Sequence, residues 1–225
     1  NQWVYDGFNE TYAKLNVYFD KLYFESQTYL RGKELVKEGL ENDLFYQEED
    51  GSIWANLENA GLDRKILLRS DGTSVYITQD LGTADMRYDD YKMDGMAYVV
   101  ADEQNYHFKV LFALLKMLDK PFVEHLFHLS YGMVDLPDGK MKSREGNVVD
   151  ADDLIDEVKA QARSGMKERG NLEVLSEEEK EEIVDKVAMA ALKYFIVKVN
   201  PQKRMTFNPS ESVDMQGQTG PYIQY

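Results

Sequence analysis

The stretch that decides the fold opens with Met96-Ala97-Tyr98-Val99-Val100, a continuous apolar segment. Such segments are typical of strands at the centre of a parallel sheet. An apolar helix follows from Phe108 to Leu118 and ends at Lys120-Pro121, and a second strand runs from Val123 to Val134. Strand, helix and strand in this order form a βαβ unit, so the sequence predicts an α/β fold with a parallel sheet.

The segments before this unit alternate between helical and strand patterns. Residues 8–41 have helical spacing and predict a helix that ends near Gly39. Three further elements are expected before residue 96: a β-hairpin within residues 43–58, a strand at 66–68, and a helix over 79–88 capped by Thr78.

Beyond residue 150 the pattern becomes helical. Leu154, Val158 and Met166 lie on one helical face. Ser176-Glu177-Glu178-Glu179 is a capping box that opens a second helix, which is expected to stop at Pro201. We therefore predict a domain change near residue 150, with an α/β part at 1–150 and a helical part at 151–225.

Composition excludes several classes of protein. The 225 residues carry 26 basic and 41 acidic side chains, a net charge of −15, which argues against broad, sequence-independent nucleic-acid binding. The absence of cysteine excludes disulfides, thiolate zinc sites and thiol nucleophiles. No apolar run approaches the roughly 18 residues of a membrane helix. We expect no membrane association and a cytoplasmic location.

The two ends of the chain predict that it is a piece of a longer protein. It opens with Asn1-Gln2-Trp3 and has no initiator Met. It stops within the apolar, aromatic segment Gly220-Pro221-Tyr222-Ile223-Gln224-Tyr225, unlike a frayed terminus.

A cationic loop follows the second strand of the βαβ unit. Asp138-Gly139-Lys140-Met141-Lys142-Ser143-Arg144-Glu145-Gly146-Asn147 holds three cations and a hydroxyl group between glycines. The carboxyl edge of a parallel sheet is where open α/β folds bind anionic ligands, and basic donors stabilise charge that develops on a phosphate. The alternative is a solvated basic turn.

Tyr76, Asp80 and Gln104 form a candidate pocket for a cation. Residues four apart lie on one face of a helix, so the Tyr76 phenol and the Asp80 carboxylate are expected to be neighbours. A carboxylate can take two parallel bonds from a guanidinium, and Gln104 offers an amide acceptor at the end of the first strand. The alternative for Asp80 is a residue near a helix start, favoured there by the macrodipole.

An ordered series of motifs resembles the arginyl-tRNA synthetases, a family of class I aminoacyl-tRNA synthetases. The cationic loop is similar to the KMSKS signature of class I, with alterations that are typical of this family. The other matching segments are Phe19-Asp20, Glu25-Ser26, Asp50-Gly51-Ser52-Ile53-Trp54, Leu68-Arg69-Ser70-Asp71-Gly72-Thr73, Tyr76-Ile77-Thr78-Gln79-Asp80, Tyr98-Val99-Val100, Glu103-Gln104-Asn105-Tyr106-His107-Phe108, Tyr131-Gly132-Met133-Val134, Lys193-Tyr194-Phe195 and the closing segment 217–225.

The resemblance implies a role for each site residue. It places Tyr76, Asp80 and Gln104 in the arginine pocket and makes Lys142, Ser143 and Arg144 catalytic. It assigns ATP binding to a larger set of residues, namely His107, Gly132, Met133, Lys140, Met141 and Lys142. His125 and His128 receive no role and are interpreted as structural. No metal site is implied, and Mg²⁺ is expected to accompany ATP.

The resemblance also implies an organisation and a reaction. Residues 1–150 would be the C-terminal part of a Rossmann-like nucleotide-binding catalytic domain, and residues 151–225 a helical connecting region that leads to an anticodon-binding domain. Arginine would be activated by ATP, with tRNA(Arg) already bound, and then transferred to that tRNA. The full-length enzyme is expected to be monomeric.

One family motif does not occur in this sequence. Class I synthetases carry an early His-x-Gly-His motif, and neither His107 nor the pair His125 and His128 fits it. We therefore expect the 225 residues alone to be inactive.

Two alternatives remain at this point. The first is an adenylate-forming nucleotidyltransferase that does not use tRNA, which the residues of the cation pocket and the helical C-terminal part disfavour. The second is a non-catalytic interaction module derived from a synthetase.

Overall fold

The computed structural model describes residues 2–135, 150–169, 175–214 and 216–225. In chain order the helices are α1 (Gln2–Lys14), α2 (Glu25–Glu41), α3 (Tyr76–Tyr91), α4 (Asn105–Met117), α5 (Ala151–Arg169), α6 (Glu177–Val197), α7 (Pro209–Ser212) and α8 (Gly220–Gln224). The strands are β1 (Tyr46–Gln47), β2 (Ile53–Ala55), β3 (Lys65–Leu68), β4 (Met96–Ala101), β5 (Leu126–Tyr131), β6 (Val134–Asp135) and β7 (Met205–Thr206). The chain divides into two compact units, one of residues 20–131 and one of residues 1–19 and 132–225.

The unit of residues 20–131 contains the predicted βαβ unit. Strands β4 and β5 pair in parallel from Met96 opposite Leu126 to Ala101 opposite Tyr131, and α4 lies between them in sequence. The predicted hairpin is also present, because β1 pairs with β2 in antiparallel register and β3 extends that sheet. The α/β fold class is therefore confirmed.

Helices α2 and α3 pack closely because each has a glycine at the contact. A Cβ atom on Gly32 would lie 1.9 Å from the carbonyl oxygen of Thr78. A Cβ atom on Gly82 would lie 2.0 Å from the carbonyl oxygen of Thr28. No side chain fits at either position, so these two glycines set the distance between α2 and α3.

A buried carboxylate ties α2 and α3 to the segment after α4. Asp85 is only 5% exposed. Its Oδ2 lies 2.6 Å from Arg31 Nε and its Oδ1 lies 2.6 Å from Lys120 Nζ. A carboxylate at this depth is stable only when it is paired, and the two cations provide that pairing.

One face of the β4–β5 sheet is open. Met96 and Tyr98 are buried, but Val99 is 62% exposed and Phe127 on the neighbouring strand is 57% exposed. Parallel sheets are usually covered on both faces, so this apolar surface is unusual for its class.

The unit of residues 1–19 and 132–225 is mostly helical. Its core joins Ile155 and Val158 of α5 to Ala188 and Leu192 of α6, with Phe207 fully buried among them. Helix α6 begins as predicted: the Ser176 hydroxyl accepts from the Glu179 amide, and the Ser176 amide donates to the Glu179 carboxylate. Strands β6 and β7 form a short parallel pair.

Three predictions about individual elements are corrected. The predicted helix over 8–41 is two helices, α1 and α2, because the chain leaves the helix at Asn16, which has a φ of 53°. The predicted strand 123–134 begins only at Leu126, after a 3₁₀ turn at Val123–His125, and it is interrupted after Tyr131, where β5 ends. Thr78 is not the N-cap residue of α3, which begins at Tyr76 and has Val75 as its N-cap. Thr78 caps from the third position of the helix, where its hydroxyl accepts from the Val75 amide and donates to the Leu67 carbonyl.

Two further predictions concern residues next to or within 136–149. The predicted domain change near residue 150 stays a prediction. The cationic loop, residues 138–147, lies outside the described residues.

No helix of the described chain is both long and apolar enough to cross a membrane.

Candidate substrate-binding site

The candidate site is a contact between Asp80 of α3 and His107 of α4. Asp80 Oδ2 and His107 Nε2 are 2.6 Å apart, although the two residues come from different helices. The side chain of Asp80 is 42% exposed and that of His107 is 21% exposed. The pair is therefore open to a ligand on the side of the carboxylate and shielded on the side of the imidazole.

The other two residues of the predicted cation pocket lie on the same elements. Tyr76 is the first residue of α3 and is 76% exposed, so it shares a helical face with Asp80 as predicted. Gln104 closes the 3₁₀ turn Asp102–Gln104, directly before α4, and is exposed. Neither side chain hydrogen-bonds Asp80 within the part of the chain that the structure describes.

Aromatic rings pack against His107 and beneath it in the core. The His107 ring meets Phe108 edge-on at 5.8 Å between centroids. Phe108 is buried and packs on Tyr98 at 5.0 Å and on His128 at 4.3 Å. His128 in turn hydrogen-bonds the Val100 carbonyl through Nε2 at 2.9 Å. These contacts fix the start of α4 on the β4–β5 sheet.

Tyr98 is a neighbour of the site that sequence reasoning missed. Burial raises the pKa of Tyr98 to about 12; the positive charge of Arg87 opposes this rise and the Asp80 carboxylate adds to it. Its hydroxyl meets no partner at hydrogen-bond geometry among the described residues. The signal in the sequence was the position of Tyr98 in β4, on the same face as the buried Met96.

Asp80 has the chemistry of a receptor for a cation. An ionised carboxylate is an acceptor with about four lone-pair sites, and His107 occupies one of them. The Oδ1 atom accepts no hydrogen bond from another described residue. A guanidinium approaching from the exposed side can therefore bond to this carboxylate without displacing His107.

Gly132 and Met133 belong to the unit of residues 1–19 and 132–225, where some of their backbone groups are hydrogen-bonded. The Gly132 amide donates to the Pro201 carbonyl at 2.7 Å, and the Met133 carbonyl accepts from the Met205 amide at 3.3 Å. A Cβ atom on Gly132 would lie 2.5 Å from the Arg204 nitrogen. The close approach of the segment 201–204 thus requires glycine at this position.

The remaining predicted site residues, Lys140, Met141, Lys142, Ser143 and Arg144, lie outside the described residues, so their assignments stay predictions. Among the residues that the structure describes, no three histidine or acidic side chains converge as metal ligands.

Comparison with known proteins identifies the family. The model of the catalytic domain of class I tRNA synthetases for arginine matches residues 2–208. The chain belongs to the arginyl-tRNA synthetase family. The resemblance inferred from the motifs is therefore confirmed.

Curated relatives agree along the whole chain. The arginine–tRNA ligases of Parabacteroides distasonis and Bacteroides fragilis are 60% and 59% identical over all 225 residues. The chain spans 38% of the length of each of these relatives.

Solved structures support the fold. The Thermus thermophilus arginyl-tRNA synthetase aligns with 96% of this chain at a TM-score of 0.79 and 24% identity, and the chain covers 42% of it. The Plasmodium falciparum arginyl-tRNA synthetase aligns with 97% at a TM-score of 0.77 and 22% identity, and the chain covers 36% of it. The architecture is thus that of part of a class I synthetase.

Proposed function

We propose that this chain is part of an arginine–tRNA ligase, which activates arginine with ATP and transfers it to tRNA(Arg). The observation that carries the proposal is the half-exposed Asp80 carboxylate, held at 2.6 Å by His107 and otherwise free to accept bonds among the described residues. A guanidinium matches this acceptor in charge and in geometry. Membership of the arginyl-tRNA synthetase family disfavours both the tRNA-independent enzyme and the non-catalytic module.

The proposed reaction has two steps. In the first, an oxygen of the arginine carboxylate attacks the α-phosphorus of ATP, the bond to the β-phosphate oxygen breaks, and pyrophosphate leaves. In the second, a ribose hydroxyl at the 3′ end of the tRNA attacks the activated carbonyl and AMP leaves. The protein contributes orientation and charge stabilisation to both steps, with no covalent enzyme intermediate.

Each site residue has a proposed task. Asp80, with Tyr76 and Gln104, binds the arginine side chain. Lys142, Ser143 and Arg144 stabilise negative charge on the reacting phosphates. The proposed ATP contacts are Lys140, Met141, Lys142, Gly132 and Met133. The family resemblance adds His107 to this set, but the contact that supports a role for its ring is the one with Asp80.

The proposal includes the partners and the location. Mg²⁺ enters with ATP as part of the substrate, and no protein ligand is named for it. The full-length protein is proposed to act as a monomer in the cytoplasm, where ATP and tRNA are available.

The test is amino-acid-dependent exchange of labelled pyrophosphate into ATP by the full-length gene product that contains this chain. We expect exchange with arginine and not with lysine or citrulline, because a neutral or shorter ligand leaves the Asp80 carboxylate without a matched partner. We also expect the exchange to require tRNA(Arg). Exchange that responds equally to citrulline would overturn the proposal.

A further inference from the structure

We propose that His107 is a positioning residue for arginine recognition, which holds the Asp80 carboxylate in the orientation that accepts the guanidinium. The inference rests on the proposed function and deepens it. It gives His107 a task at the amino-acid side chain, in place of the contact with ATP that the family resemblance implies.

The hydrogen bond fixes where the imidazole proton lies. An ionised carboxylate can only accept, so the proton between Asp80 Oδ2 and His107 Nε2 belongs to the nitrogen. The partner of one ring nitrogen selects the tautomer of a histidine. Asp80 therefore holds His107 as an Nε2–H donor.

The histidine itself is held rigidly. Its side chain is only 21% exposed, and its ring rests edge-on against the buried Phe108 at an interplanar angle of 86°. The start of α4 is also fixed by the neighbouring Tyr106, whose hydroxyl donates to Asp63 Oδ2 at 2.9 Å and accepts from the Asp63 amide at 3.2 Å. The donor that His107 presents to Asp80 thus has a fixed position relative to α4.

The carboxylate needs such a donor because its own torsion is soft. The χ2 angle of an aspartate is broad and roughly two-fold, so a half-exposed carboxylate rotates unless it is bonded. A bidentate guanidinium pair requires the carboxylate plane to match the plane of the fork. His107 uses one lone-pair site of Oδ2 and fixes the plane, and enough lone-pair sites remain on both oxygens for the two bonds of a guanidinium.

The kinetic test compares two substitutions of His107 in the full-length gene product. His107→Ala removes the donor and should raise the KM for arginine about tenfold, with kcat and the KM for ATP near those of the wild type. His107→Gln keeps an N–H donor of similar reach and should recover most of the loss. The matched control is His125→Gln, because His125 is an exposed histidine of the same unit.

The outcomes separate this inference from the proposed function. If Asp80→Asn leaves the KM for arginine unchanged, the arginine site itself is misassigned. If Asp80→Asn raises that KM but His107→Ala does not, or raises only the KM for ATP, the positioning role alone is wrong. Equal losses in His107→Gln and His107→Ala would also overturn it.

A measurement without activity tests the contact directly. In the ¹⁵N-labelled 225-residue chain, long-range ¹H–¹⁵N spectra of the imidazole should show the proton of His107 on Nε2, and Asp80→Ala should change that resonance. His128, whose Nε2 bonds the Val100 carbonyl, should stay unchanged. A proton on Nδ1 alone at His107 in the wild type would overturn the proposal.

Discussion

Lys142 is the residue on which the proposed phosphate chemistry depends most. Replacing it with alanine should lower the rate of arginine activation by roughly 10²–10³-fold, the usual effect of losing one preorganised donor to a developing charge. The KM for arginine should stay near the wild-type value, because the side chain of arginine binds elsewhere. Arg144→Ala should act in the same direction.

Pyrophosphate exchange in the presence of tRNA measures this effect. Lys37→Ala is the control, because Lys37 is an exposed lysine on α2 with no proposed role. If the cationic loop is a solvated basic turn, Lys142→Ala will turn over like the wild type.

Tyr98 makes stability depend on pH at the alkaline end. Its pKa is raised to about 12 by burial, so the folded protein disfavours tyrosinate while the unfolded chain ionises near pH 10. The stabilisation is complete below pH 10 and is lost as the pH rises toward 12. Relative to Tyr98→Phe, the wild type should lose about 2 kcal/mol of unfolding free energy over this window.

Urea unfolding of both proteins at pH 9, 10, 11 and 12 tests this expectation. Tyr18→Phe serves as the control because Tyr18 is 77% exposed, and it should follow the wild type at every pH. If the unfolding free energies of the wild type and Tyr98→Phe change in parallel with pH, the account is contradicted.

At the scale of helices and strands, the contact between α2 and α3 is the most sensitive. Gly82→Ala places a Cβ atom 2.0 Å from the Thr28 carbonyl oxygen, so one helix must move. We expect a loss of about 1–3 kcal/mol in unfolding free energy, the usual cost of overpacking.

Gly165→Ala is the matched control. Gly165 lies within helix α5 with no atom within 4 Å of the added carbon, so alanine there should be neutral or stabilising by up to about 1 kcal/mol. Urea unfolding followed by circular dichroism compares the two variants, and equal stabilities would contradict the packing argument.

The elements that the sequence predicted best carry strong local signals. The βαβ unit follows from two apolar strands around an apolar helix, and the start of α6 follows from a capping box. The start of α3 was predicted wrongly because a threonine can hydrogen-bond the backbone at a helix start from more than one position. The bond from the Thr78 hydroxyl to Leu67 of β3 determines which position Thr78 takes. Local pattern does not contain that information.

The candidate site also has one part that local sequence spacing predicts and one part that depends on tertiary packing. Tyr76 and Asp80 share a helical face, which spacing alone predicts. The bond from Asp80 to His107 joins residues 27 positions apart, and it depends on how α4 packs beside α3. The burial of Tyr98 next to Asp80 depends on the same packing. The alternation along β4 places Tyr98 on the face of the buried Met96, but no periodicity specifies that Tyr98 lies near Asp80 or that Asp80 contacts His107.

For the whole molecule, the 225 residues alone should fold but should not charge tRNA. Each compact unit has its own apolar core, which favours cooperative unfolding. The His-x-Gly-His motif does not occur in this sequence, so part of the phosphate-binding apparatus of class I is not provided by it. Thermal unfolding and an aminoacylation assay of the purified chain test the two parts, and charging at a rate near that of the full-length protein would contradict the second.

The central claim is that Asp80 selects arginine by its charge. The most direct measurement is the steady-state kinetics of Asp80→Asn in the full-length gene product, with arginine and ATP varied separately. Asp80→Asn removes the negative charge that pairs with the guanidinium, and such a loss costs several kcal/mol of binding free energy. The account therefore predicts an arginine KM raised by roughly 10²-fold or more and an ATP KM close to the wild-type value. An arginine KM that stays unchanged in Asp80→Asn would contradict it.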